Sequence, residues 1–223
     1  MKQNKNPTPS ESFTSEAYSK DLLFNNKKII ALTGSISTGK STAASIIRDL
    51  GFKIIDLDKI GHELYEDREV TDEISIAYGR DFTQKGIFNR KILSKYVFED
   101  TRRLETLNKI MHEKIFEKMI RIIDESEDKI IFVDIPLLIE LMEEKNHGLI
   151  YDEIWLVYVP REVQIERLMK RDNIEIEEAL KKINSQMNIE NKVKYADVLL
   201  KNDKDISELK KQIYREISRI TAE

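Results

Sequence analysis

The stretch Gly34-Ser35-Ile36-Ser37-Thr38-Gly39-Lys40-Ser41 fits the pattern G-x-x-x-x-G-K-[ST]. Its flanks give the pattern its weight. The apolar run Ile29-Ile30-Ala31-Leu32 leads into it, and a helix-like stretch over residues 41–50 follows. A buried strand, a glycine-bounded loop and a helix, in that order, form the setting in which such a loop holds phosphate. Backbone N–H groups face the phosphate oxygens, and the positive end of the helix adds to their field. On this reading Gly34, Ser37, Thr38, Gly39 and Thr42 belong to the cradle of a nucleotide's phosphates. Lys40 reaches the β- and γ-phosphates, and Ser41 ligates Mg2+. The competing reading is an ordinary Ser- and Gly-containing loop capping a helix.

Working outward, further apolar runs read as strands at residues 53–56, 129–134, 153–159 and 196–200. From 59 to 127 the pattern is helical. It is clearest over 102–123, where Leu104, Leu107, Met111, Ile115, Met119 and Ile122 keep close to a 3.6-residue period. Continuous apolar strands separated by helices imply an α/β fold whose parallel sheet is covered on both faces. The ligand of such a sheet sits beyond the carboxyl ends of its strands. That rule gathers the loop 34–41, Asp56 to Asp58, Asp134 to Pro136 and Pro160 around one cleft.

Composition narrows the classes. A chain of 223 residues with 40% hydrophobic content can bury one substantial core. Charged residues make up 35% and nearly balance, at a net charge of -4, which argues against a general nucleic-acid binder. The absence of cysteine excludes disulfides, thiolate metal sites and cysteine nucleophiles. His62, His112 and His147 show no metal-ligand spacing. The longest apolar stretch, 130–139, is too short to span a membrane and is broken by Asp134. Residues 1–26 are polar and carry no secretory core, and they read as a flexible extension ahead of a cytoplasmic domain over 27–223.

Three groups carry further chemistry. Asp56 and Asp58 follow the second strand, where one of them could orient or deprotonate an acceptor hydroxyl, or else cap the next helix. Asp134 closes an apolar strand, as a Mg2+-holding aspartate of a phosphate-binding-loop protein does, or it is a buried aspartate bonded to loop amides. Gln164, Arg167 and Arg171 share one face of a helix. Arginines there could neutralise charge on a transferred phosphoryl group, or could lie on a solvated face.

Taken in register, these pieces resemble the dephospho-coenzyme A kinase family from Lys28 onward. The resemblance is carried by Leu32-Thr33-Gly34 through Gly39-Lys40-Ser41-Thr42, by Ile55-Asp56-Leu57-Asp58, and by Phe88-Asn89-Arg90 with Leu93 and Val97-Phe98. Leu107-Asn108-Lys109-Ile110-Met111-His112 continues it. Pro136-Leu137-Leu138-Ile139-Glu140 is the most specific single piece, and Gln164, Arg167, Arg171, Gln186, Ala196-Asp197 and Asn202 complete the order.

The resemblance implies a three-layer α/β/α P-loop kinase with a five-stranded parallel sheet, a helical substrate-binding insertion at about 59–127 and a helical lid at about 161–190. It implies phosphorylation of the ribose 3′-hydroxyl of dephospho-coenzyme A by ATP with Mg2+, and no protein, nucleic-acid or membrane partner. By analogy, Asp58 accepts the hydroxyl proton with Thr33 nearby. Lys40 and Arg167 stabilise transferred charge, while Arg171 and Asn202 lie at the nucleotide. Asp56, Arg90, His112, Pro136, Leu137, Leu138 and Glu140 fall to the substrate, and Ser41 and Asp134 to the metal.

The chain departs from the family pattern at Ser35 and Ser37, which stand where that loop carries glycines. It departs also at Leu57, at Gly61-His62 and at Glu113. The alternatives are another small-molecule P-loop kinase, a P-loop regulatory NTPase, and an impaired relative that binds coenzyme A. A guanine-specific N-K-x-D is missing, because Asn108-Lys109-Ile110-Met111 and Asn191-Lys192-Val193-Lys194 lack the aspartate. Intact Lys40, Asp58 and Arg167 argue against an impaired relative.

Overall fold

The computed structural model describes residues 27–143 and 151–222. The stretch 1–26, expected to be an extension, and His147 lie outside the described residues. In chain order the strands are β1 (Lys28–Gly34), β2 (Lys53–Asp56), the short pair β3 (Thr83–Gln84) and β4 (Ile87–Phe88), β5 (Ile130–Asp134), β6 (Glu153–Tyr158) and β7 (Val198–Lys201). The helices are α1 (Lys40–Asp49), α2 (Leu57–Leu64), α3 (Arg68–Tyr78), α4 (Arg90–Val97), α5 (Thr101–Asp124), α6 (Leu138–Glu143), α7 (Arg161–Asp172), α8 (Ile176–Asn184), α9 (Ile189–Lys192) and α10 (Ile206–Ala222).

Five strands form one sheet in the order β2-β5-β1-β6-β7. Every pairing in it is parallel. The five-stranded parallel sheet and three-layer α/β/α architecture expected from the sequence are what the chain adopts. Residue alternation explains the layering. Ile29, Ala31, Ile55, Ile131 and Val133 pack on one face, against residues of α2 to α6 such as Ile60, Met111 and Leu138. Ile30, Leu32, Phe132, Trp155 and Val157 pack on the other, against Ile47 of α1 and Leu209 and Ile213 of α10. Each large apolar side chain so buried contributes roughly 1.5–3 kcal/mol relative to exposure. At the amino ends of the strands, aspartates close the ladder. Asp152 Oδ2 accepts from Ile29 N at 2.7 Å, and Asp197 Oδ2 accepts from Ile154 N at 2.8 Å.

The segment between β2 and β5, expected to be helical throughout, contains the antiparallel hairpin of β3 and β4. Its two-residue turn is Lys85-Gly86, both at positive φ (55° and 77°), the backbone of a type I′ turn. Phe82, fully buried, anchors it against Tyr78, Phe88 and Tyr96. Asn89 then caps α4, its side chain accepting from Lys91 N and Ile92 N. After β6, α7 ends at Asn173 in the left-handed region (φ 52°), and α8 folds back on it. Leu168, Ala179 and Ile183 form a small core there, with Ile36 packed against it. Among the described residues no helix is long and apolar enough to cross a membrane.

Candidate active site

β1 lies between β5 and β6, so the loop it feeds emerges at the middle of the sheet's carboxyl edge. Gly39 is the N-cap of α1 at φ 89°, with no side chain capping the helix. The N–H groups of the first turn have no intrahelical acceptor and point out of the helix end. Only glycine fits at residue 39, since a Cβ there would come within 2.1 Å of Asn202 Nδ2. Side-chain amides from distant elements fix the loop. Gln164 Nε2 of α7 donates to Ile36 O at 2.7 Å, and Ile36 N donates to Gln186 Oε1 at 2.9 Å. Asn202 Nδ2 donates to Thr38 O at 2.8 Å, and Asn202 O accepts from Arg167 Nη2 at 2.8 Å. The cradle is thereby shaped before any ligand arrives.

Asp56 Oδ1 accepts from Lys59 N at 2.9 Å and so caps α2. That cap sets Asp58 in the first helical turn, exposed toward the cleft. Asp134 ends β5 in register with Asp56, and its Oδ1 accepts a hydrogen bond from Lys40 Nζ. Burial pushes the Asp134 carboxyl up from its ordinary value. Lys40 opposes that shift, while the charges of Asp56 and Asp58 reinforce it. The cleft holds about 730 Å3 and is lined by the loop together with Asp58, Pro136, Arg167, Arg171, Gln186 and Asn202. Such an arrangement can hold a phosphate chain at a helix N-terminus, with a carboxylate and a guanidinium bordering the same cleft.

The dephospho-CoA kinase family model matches residues 28–208. The chain belongs to the dephospho-CoA kinase family. It is 38% identical to the dephospho-CoA kinase of Helicobacter pylori strain J99 over 191 residues, which cover 85% of this chain and 95% of that one. It is 41% identical to the Carboxydothermus hydrogenoformans dephospho-CoA kinase over 196 residues, 83% of this chain and 90% of the relative. The solved dephospho-CoA kinase from Campylobacter jejuni matches with a TM-score of 0.63 at 31% identity, covering 87% of this chain and 97% of that one.

In this dephospho-CoA kinase family member, several residues expected at the site are engaged elsewhere. Thr33 is fully buried and its Oγ1 donates to Ile135 O at 2.7 Å, tying β1 to the end of β5. Leu138 is core, at 0% exposure, and has no surface to offer a substrate. Glu140 is held by Lys192 Nζ, whose nearer contact is 2.7 Å, and by Met187 N at 3.0 Å. Leu137 is exposed. His112 is exposed on α5 and lines no described cavity. Arg90 lies 4.4 Å over the Tyr65 ring and lines a second cavity of about 700 Å3 in the region between β2 and β5. Arg171 Nε donates to Asp172 at 2.7 Å while its side chain still borders the main cleft.

Sequence reasoning missed Ser35, Lys204 and Ile206 on the cleft wall, and the buried Lys192. A lysine in a polar stretch gives no sign that it is at 0% exposure. Ser35 carried a signal in the loop pattern itself.

Proposed function

We propose that the cleft binds ATP on the loop 34–42 and that Asp58 takes the proton of the acceptor hydroxyl. ATP-dependent phosphorylation of dephospho-CoA, a step of coenzyme A biosynthesis, is the activity of the family, and this chain is an enzyme of that kind. In the step proposed here, the ribose 3′-oxygen attacks the γ-phosphorus and the bond to the β–γ bridging oxygen breaks. ADP leaves, and the 3′-hydroxyl proton passes to Asp58.

One observation carries this reading: Lys40, Asp58 and Arg167, from three different helices, and Asn202, from the loop after β7, border one cleft. The loop's donor set fits a nucleotide, since the helix end is uncapped and faces the same cleft. Lys40 begins paired with Asp134, so phosphate binding exchanges its partner and releases the carboxylate. Mg2+ bound with the nucleotide would neutralise phosphate charge, and Ser41 and Asp134 are the residues to hold it. Among the described residues no cluster of three or more His, Asp or Glu could hold a metal ion. The nucleotide phosphates would supply the remaining oxygen ligands of such an ion. Arg167, its guanidinium against Gly39, stabilises charge on the transferred group, and Arg171 assists at the nucleotide.

The cavity beside Arg90 and Tyr65 is our candidate for the coenzyme A end of the acceptor. The insertion at 59–127, the lid at 161–190 and a cytoplasmic setting belong to the same proposal.

The test is ADP release from Mg-ATP with purified protein, with and without dephospho-CoA, using AMP, dTMP and gluconate as control acceptors. Turnover confined to dephospho-CoA, with coenzyme A as product, is expected. Turnover only with another acceptor, or with none, overturns the assignment.

A further inference from the structure

Buried hydroxyl groups are rarely left alone, because folding strips them of the hydrogen bonds they make to water. Among the described residues, the buried side-chain polar atoms without a partner are Ser35 Oγ and Ser37 Oγ. They are two residues apart in one loop, and both residues line the cleft. Ser35 is only 6% exposed. The neighbouring polar groups are satisfied within the protein. Thr38 Oγ1 donates to Ser35 O at 2.9 Å, both backbone groups of Ile36 are taken by glutamines, and Thr38 O is taken by Asn202. The two hydroxyls are thus left without a protein partner in a loop whose residues line the cleft.

The backbone supplies an independent observation. Ser37 has φ 60°, in the left-handed region where a residue with a Cβ is strained. Strain of this kind persists where the surroundings over-determine it, and such places cluster at ligand clamps.

We infer that Ser35 and Ser37 are phosphate-binding side chains, their hydroxyls donating hydrogen bonds to the phosphate oxygens of the nucleotide. The inference rests on the reading of this cleft as the ATP site. Phosphate oxygens accept only, so a hydroxyl is matched to them as a donor. A hydrogen bond to a charged acceptor is also shorter and stronger than one between neutral groups. Because the hydroxyls are already dry in the folded protein, the nucleotide meets donors that lose no further water.

The test uses Ser35→Ala and Ser37→Ala in the full chain. Both keep the Cβ and delete only the hydroxyl. Calorimetric titration with Mg-ATP and Mg-ADP should give affinity about tenfold weaker for each variant, the size of one hydrogen bond to a charged group. Thermal unfolding of the nucleotide-free variants should occur at the parent's temperature or higher, because an unpaired buried hydroxyl has been removed. Weaker binding without lost stability separates a ligand contact from a structural one. Ser37→Gly, which also relieves the strain, should bind as weakly as Ser37→Ala and unfold later.

Variants that bind both nucleotides as tightly as the parent would overturn the inference. So would variants that unfold earlier, since the hydroxyls would then have partners inside the protein. If the parent itself binds neither nucleotide, the reading of the cleft falls along with it. Parent binding with unaffected variants removes the serine inference alone.

Discussion

Asp58 owes its position to the residue two places before it. Asp56 spends its carboxylate on Lys59 N, and the helix that follows turns Asp58 outward to the cleft. The sequence left open which of the pair was cap and which was chemistry, because both roles need an acidic residue at the end of a strand. The geometry makes Asp56 the cap and leaves Asp58 facing the cleft. Asp58→Asn keeps the size and loses the base. We expect turnover to fall by about a hundredfold or more, the range for loss of a general base, with Mg-ATP affinity unchanged. Steady-state kinetics beside a nucleotide titration checks this, and full turnover in the variant would strip Asp58 of the role. Lys40, Ser41 and Asp58 were legible as candidates because each follows a pattern with one physical purpose, and all three border the cleft. Thr33, Leu138 and Glu140 were not, since only packing decides whether a residue beside a cleft faces into it.

At the level of elements, strands were legible and their cross-links were not. The sheet strands are buried on both faces and read as unbroken apolar runs, so their number and approximate bounds followed from the sequence. The strands of the β3–β4 hairpin are too short to show a period, so the stretch read as helical. The pairing of Glu140 with Lys192 spans 52 residues and leaves no local trace. It fastens α6 to α9, and Glu140 also accepts from Met187 N. The adjacent Gln186 in turn holds the phosphate loop at Ile36.

The pair is lopsided, with Lys192 at 0% and Glu140 at 24% side-chain exposure. Removing the carboxylate strands a buried ammonium, whereas removing the ammonium leaves a carboxylate that water can reach. Glu140→Ala should therefore lose about 3 kcal/mol of stability in urea unfolding. Lys192→Met should lose clearly less. Equal losses, or the reverse order, would show that the burial of Lys192 does not govern the pair.

For the whole molecule, chemistry and fastening lie at opposite ends of the sheet. The carboxyl edge carries the loop, Asp58 and Asp134. At the amino edge Glu153, the first residue of β6, joins the first strand to the last helix. Its carboxylate pairs with Lys28 of β1 at 3.1 Å and with Arg219 of α10, and accepts from Trp155 Nε1 at 3.1 Å. Burial alone would raise its pKa, but the bonds from Arg219, Trp155 and Lys28 outweigh that and lower it from 4.5 to about 2. A depressed carboxylate stabilises the folded state above its unfolded pKa, and the contribution is lost as pH falls through the folded one. The window is therefore from about 4.5 down to about 2.

Glu153→Gln should be less stable than the parent at pH 7, with the gap narrowing as pH drops through that window. Turnover at pH 7 and moderate temperature should not change, because the substitution lies at the far end of the strands from Lys40 and Asp58. Urea unfolding at a series of pH values, beside one activity assay, reads both. A gap that stays constant with pH would assign the loss to packing around Trp155 instead of charge. A loss of turnover in the folded variant would mean that the amino edge and the cleft are coupled through the sheet.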